Sequence, residues 1–261
     1  MNQTISASQV TGLFGQFACP AAYYFDKIKR YPRKPKPAFD IGKAIENAVT
    51  DYHVQKQMRP EIFIRTIEQL KQGTYADRFG VPKYGYKDLS TEEKLLYDEE
   101  IAEIDYTALL TEYANSVQPL TIIESQLEIK YEIFPGVTLL CYPDLLTQEV
   151  GIIELKTSGK SWSDFDVKKK FQHIVEVMAT EQELGFRPAV MYQILVKTKT
   201  PKIQFIPVEV TDTEIEQVKN LLLQAVRYKE TFNFVPHERD KTNCMICGQN
   251  HSREFFFTAS L

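Results

Sequence analysis

Cysteine, continuous apolar runs and an excess of positive charge are all scarce in this sequence, and each scarcity excludes a class of protein. Four cysteines in 261 residues are too few for the disulfide framework of a secreted mini-domain, and they fit a reducing compartment. No stretch approaches the ~20 consecutive apolar residues that cross a bilayer. Residues 1–15, MNQTISASQVTGLFG, have neither the basic start nor the apolar centre of a secretory leader. The expectation is a cytoplasmic protein with no membrane partner. A formal net charge of −4 argues against a protein that coats nucleic acid by bulk electrostatics.

What is present is an ordinary globular composition, 43% hydrophobic and 25% charged, long enough for one large or two modest domains. We read residues 1–261 as a single domain, with a helical insertion over about 58–117 and a tail over about 233–261 that carries Cys244 and Cys247. The basic residues cluster in KIKRYPRKPK (residues 27–36), in the triplet Lys168 to Lys170, and around the turn holding Lys197, Lys199 and Lys202. Each run suits either a phosphate backbone or plain solvated surface.

The most informative stretch is VTLLCYPDLLTQEVGIIELKT, residues 137–157. Its β-branched and apolar runs on either side of Gln148-Glu149-Val150 predict strand, short turn, strand. With that turn, Thr147 faces Gly151, and counting back sets Asp144 opposite Glu154, with Cβ atoms ~4.5–5.5 Å apart. Strand alternation adds Lys156 to the same face and sends Ile153 and Leu155 to the other. Like charges directly opposite one another destabilise a sheet, so the acid pair needs a compensating cation. A divalent ion such as Mg²⁺, which takes one or two carboxylates plus water and phosphate, supplies one and suits phosphodiester chemistry, with Lys156 placed to orient or activate a water. Simple ion pairing of Lys156 with the two acids is the alternative that spacing leaves open.

Elsewhere the clearest helix is predicted over 39–57, with Ile41, Ala44, Ile45, Ala48, Val49 and Tyr52 as its apolar stripe and Asp40 as its cap, packing on the hairpin sheet. Further helices are expected at 17–25 opened by Pro20, at 61–71, at 90–115 with Ser90-x-x-Glu93 as capping box, at 164–185 and at 211–232. Strands are expected at 121–134, 189–196 and 202–210. Cys141 is read as core.

The residues Pro143-Asp144, nine intervening positions, and Glu154-Leu155-Lys156 resemble the PD-(D/E)XK pattern of metal-dependent nucleases, and the surrounding FPGVTLLCYPDLL and IIELKTS are similar to the RecB-like exonuclease branch. The resemblance implies an α/β (α+β) fold with a restriction-endonuclease-like core, a central mixed sheet flanked by helices, and a helical insertion. It also implies a Mg²⁺- or Mn²⁺-dependent deoxyribonuclease acting on linear or single-stranded ends. Recombination, repair or phage replication would be its setting, with a recombination or helicase partner.

By that resemblance Asp144, Glu154 and Lys156 are catalytic and the Leu155 carbonyl is a metal ligand. Gly42 and Glu46 occupy the positions of a Gly-x-x-x-His motif, which makes Glu46 the third metal ligand in place of histidine, with His53 a lesser candidate. Gln172 matches the first residue of a Gln-x-x-x-Tyr motif whose last position is here Glu176, and Glu128 has a supporting place. Cys19, Cys244 and Cys247 match three ligands of a [4Fe–4S] clamp whose fourth falls on Arg253, so His251 and zinc, or a degenerate site, are the alternatives. The Glu46 and Glu176 departures also admit a module on this fold that binds nucleic acid without cleaving it.

Overall fold

The computed structural model describes residues 3–14, 35–76 and 85–231. By its contacts the chain forms two compact units. The described part of the smaller comprises 3–14, 129–141 and 211–231, and that of the larger comprises 35–76, 85–128 and 142–210.

The larger unit is built on a five-stranded mixed sheet in the order β2-β5-β6-β7-β8. Its strands are β2 (Ile122–Ser125), β5 (Leu145–Thr147), β6 (Gly151–Ser158), β7 (Val190–Val196) and β8 (Lys202–Val208). β6 runs parallel to β7, and the remaining neighbours are antiparallel. The parallel pair needs a crossover, which is supplied by α6 (Asp164–Lys168) and α7 (Gln172–Leu184).

Strand alternation gives the sheet two apolar faces. On one, Leu145, Ile153, Leu155 and Leu195 form a core with α2 (Pro37–Gln55), α3 (Glu61–Gln72) and α5 (Tyr106–Ser116). On the other, Leu146, Ile152, Tyr192 and Ile194 meet Val167 of α6 and Val177 of α7. The apolar stripe read from the sequence of α2 is buried throughout, and the helix begins at Pro37 rather than at an Asp40 cap. Proline suits the first turn because its missing N–H has no intrahelical partner there.

The smaller unit holds a three-stranded sheet in which β4 (Val137–Cys141) lies between β1 (Gln3–Ser6), parallel to it, and β3 (Ile129–Phe134), antiparallel. It also contains α1 (Ala7–Phe14) and α8 (Asp212–Thr231). Cys141 is buried, as expected of a core residue.

Four predicted elements are each divided in the structure. The strand expected over 137–146 ends at Cys141 and resumes at Leu145. Pro143, between them, has no N–H for a ladder. The strand expected over 121–134 turns at Gln126, whose φ of 55° is left-handed. The helix expected over 90–115 stops at Ala102, and α5 restarts where the Asp105 side chain accepts the Ala108 N–H at 2.8 Å. The first half, α4 (Thr91–Ala102), opens with the predicted capping box, Ser90 and Glu93 exchanging bonds of 3.2 and 2.9 Å. The helix expected over 164–185 breaks between Lys168 and Gln172, and this places Gln172 in the first turn of α7.

Candidate active site

The hairpin of β5 and β6 pairs Thr147 with Gly151 and Leu145 with Ile153, the register expected from the sequence. Gly151 closes the turn at φ 95°, and a Cβ there would lie 2.6 Å from the Ala189 carbonyl oxygen, so only glycine fits. Continuing the register by one residue sets Asp144 against Glu154. Asp144 precedes the first ladder pair, and its Oδ2 takes the place of a strand partner by accepting the Leu155 N–H at 2.9 Å.

Around that pair, acids and nitrogen donors alternate along a chain of seven side chains. Lys156 Nζ lies 2.7 Å from Glu154 Oε2 and 3.5 Å from Asp144 Oδ2. Gln172 Nε2 donates to Glu154 Oε2 and to Glu176 Oε1, both at 2.9 Å; residues four apart share one face of a helix, which lets Gln172 and Glu176 meet. At the other end Gln126 Nε2 donates to Asp144 Oδ1 at 3.2 Å and to Glu46 Oε1. The order is therefore Glu46, Gln126, Asp144, Lys156, Glu154, Gln172, Glu176. Five elements or loops of the larger unit contribute to it.

Two carboxyl groups contact the one ammonium, and burial sets the protonation of Glu154 and Glu176. Glu154 and Glu176 are 0% and 1% exposed. Desolvation and the neighbouring Asp144 push Glu154 above the usual carboxylate range, and desolvation with Glu154 beside it pushes Glu176 well above. Burial opposes the charge on Lys156, but Asp144 and Glu154 outweigh it and hold the ammonium well above its ordinary value. Lys156 is thus a fixed cation at neutral pH. Among the described residues, Glu154 Oε1 and Glu176 Oε2 receive no hydrogen from any other group, so the proton retained on Glu176 is what joins the two carboxyls.

This buried acid pair, bridged by no described group beyond its own proton and Gln172, tests the site for a divalent ion. Buried carboxylate oxygens without donors are costly, and a set of hard oxygen ligands suits Mg²⁺ or Mn²⁺. Glu154, Asp144 and Glu46 fit such an ion by chemistry. Among the described residues, however, no three His, Cys, Asp or Glu side chains already converge as a metal-binding group. The reason lies in the alternation: the nitrogen donors of Gln126, Lys156 and Gln172 stand between the acids.

Of the other candidates, His53 is buried away from the acids. Its Nδ1 accepts the Leu120 N–H at 3.1 Å and its Nε2 lies 2.9 Å from the Tyr113 hydroxyl, which donates to Gln193 Oε1 at 2.5 Å. Desolvation, with Lys56 nearby, lowers its pKa to about 4. Glu128 is exposed and accepts the Tyr142 hydroxyl at 2.8 Å. Cys19, Cys244, Cys247 and His251 lie outside the described residues, as does Arg253. Gln126 went unnoticed in the sequence, where an isolated glutamine in a polar stretch carries no signal. Only its left-handed backbone and its two acidic partners distinguish it.

A hairpin presenting Asp144 against Glu154, with Lys156 two residues on, in a mixed sheet flanked by helices, defines a nuclease of the PD-(D/E)XK type. The comparison with known families agrees: the sequence model of the PD-(D/E)XK nuclease superfamily matches residues 4–251, and the chain belongs to that superfamily. It is accordingly a hydrolase of phosphodiester bonds with nucleic acid as its substrate class, from a superfamily whose members generally use divalent metals such as Mg²⁺. A crystal structure from Eubacterium rectale, described as that of a candidate exonuclease, resembles it with a TM-score of 0.57 at 17% identity, covering 95% of this chain and 88% of the other. That likeness shows the shared fold. No curated protein matches the chain. Among the described residues no helix is long and apolar enough to cross a membrane.

Proposed function

We propose that the protein is a Mg²⁺- or Mn²⁺-dependent exonuclease of the RecB-like branch that hydrolyses DNA from linear or single-stranded ends. Recombination, repair or phage replication in the cytoplasm is its setting, with a recombination or helicase protein as partner. The observation that carries the reading is the placement of Asp144, Glu154 and Lys156 together on one hairpin.

In this reading Asp144, Glu154, Glu46 and the Leu155 carbonyl would hold the cation. The bound cation supplies Lewis-acid charge and lowers the pKa of water. Lys156, kept protonated by its two acids, serves as a fixed positive charge rather than as a base: it orients the attacking water and offsets charge on the phosphate. Gln172 restrains Glu154 by its 2.9 Å bond, so the ligand does not swing into solvent. No residue needs to form a covalent intermediate.

The test is cleavage of end-labelled linear DNA and of circular DNA with Mg²⁺ or Mn²⁺. The expected result is metal-dependent loss of linear substrate only, reduced at least about a hundredfold by Asp144→Asn or Lys156→Ala in proteins that keep the wild-type circular dichroism. Wild-type protein that binds metal yet leaves every DNA and RNA substrate intact would overturn this in favour of a binding module. Cleavage of circular DNA would refute the exonuclease assignment.

A further inference from the structure

The weakest point of the metal site as it stands is the gap between Glu46 and Asp144, and Gln126 fills it. A carboxylate only accepts hydrogen bonds, so an amide between two of them must present nitrogen to both. Gln126 Nε2 does so, touching Glu46 Oε1 and Asp144 Oδ1. One amide group therefore stands where two acids face each other, the place where a shared cation would be most favourable.

The backbone holds the residue there at some cost. Gln126 has φ 55°, a left-handed conformation that is unfavourable for a residue with a side chain. Its N–H is pinned to the Asp144 carbonyl at 3.0 Å. Glycine would take this conformation freely, yet glutamine occupies it, and such strain is concentrated at functional sites. The same carboxamide has an oxygen, and amide oxygens are ordinary ligands of hard divalent cations. Rotation about the last side-chain bond exchanges the two atoms with little change in shape.

We propose that Gln126 is a metal-site residue: without metal its Nε2 spaces Glu46 and Asp144, and with metal its amide turns so that Oε1 joins those two acids on the cation. This inference rests on the metal-dependent reading above and extends it to a residue that neither the motif nor the family match marks. It gives the ligand set a neutral arm. It also explains why the acids do not converge in advance, since the amide keeps them apart until a cation replaces its hydrogen bonds.

Titration of the whole chain with Mn²⁺ by calorimetry tests it, using wild type, Gln126→Gly and Gln126→Glu, with melting temperatures in EDTA as the folding control. Gln126→Gly removes the arm at a backbone conformation glycine favours, so its fold is retained while Mn²⁺ affinity is expected to fall at least fivefold. Gln126→Glu supplies a charged arm of the same length and should bind Mn²⁺ at least as tightly as wild type. A smaller loss in Gln126→Gly, or tighter binding there, would show the side chain to be a spacer or plug and overturn the proposal, as would Gln126→Glu binding more weakly than Gln126→Gly. Wild type that binds no Mn²⁺ would instead sink the metal-dependent reading itself. The two failures are thus distinct.

Discussion

At the scale of single residues, Glu176 stands at the last position of the Gln-x-x-x-Tyr motif that the sequence resembles. A buried carboxyl replaces the expected tyrosine, and it shares one amide donor with Glu154. Its pKa is raised, so the folded state keeps a proton that the unfolded chain releases near pH 4.5. The contribution to stability is therefore fully present below the ordinary carboxylate pKa and is lost as pH rises through the folded value. Glu176→Gln keeps an oxygen for Gln172 and offers Glu154 an N–H in place of the Glu176 proton, with no carboxyl left to ionise. Denaturant melts at pH 7.5 should show the variant more stable by about 1–3 kcal/mol, the cost of holding a buried carboxyl at a pH where the unfolded chain ionises it. The advantage should shrink toward pH 4. Equal stability at both pH values would mean that Glu176 is ionised without penalty.

At the scale of elements, the β5–β6 hairpin and its contact with β7 set the positions of all three motif residues. The register is fixed at Gly151, where left-handed φ and the 2.6 Å approach to the Ala189 carbonyl oxygen coincide. Gly151→Ala must move β6 away from the start of β7 or distort the turn, and in either case Asp144 and Glu154 lose their alignment. A loss of at least about 2 kcal/mol in chemical denaturation is expected, with a proportionally larger fall in nuclease activity than in the folded fraction. An alanine variant of wild-type stability would remove the hairpin turn from the account of the site. The helix breaks act in the same way on a smaller scale: by ending α6 at Lys168 and starting α7 at Gln172, the chain aims Gln172 at Glu154 instead of leaving it along one straight helix.

At the scale of the folded unit, a buried polar path runs from His53 on α2 through Tyr113 on α5 to Gln193 on β7. It ties two helices to the strand paired with β6, since Gln193 is registered with Leu155. His53 must stay neutral there. Its folded pKa of about 4 lies below the ordinary 6.5, so the unfolded chain takes up a proton first as pH falls. Stability is complete above about pH 6.5 and declines through the window down to about pH 4, by up to about 3 kcal/mol. His53→Gln carries no such titration. Between pH 7 and 4.5 the wild type should lose markedly more stability in urea than the variant does, and parallel losses would show that His53 is not the group responsible.

The sequence by itself determined the local part of this protein. Period-2 alternation and a short polar turn fix which residues of a hairpin face each other, so the approach of Asp144, Glu154 and Lys156 was legible, as were the buried stripe of α2 and the Ser90 capping box. Where Pro143, Gln126, Asp105 and the Lys168–Gln172 break divide longer periodic runs was not legible, because the same apolar pattern continues across each break and two sheets then divide the strands between them. The tertiary structure alone decided that Gln126, eighteen residues before Asp144, lies between it and Glu46. It also decided that Glu176 is fully buried beside Glu154 and that His53 belongs to the core. Each of these depends on which side chains meet across separate elements, and the energy that selects them, desolvation of charge and pairing of buried polar atoms, is set by surroundings that no local spacing encodes.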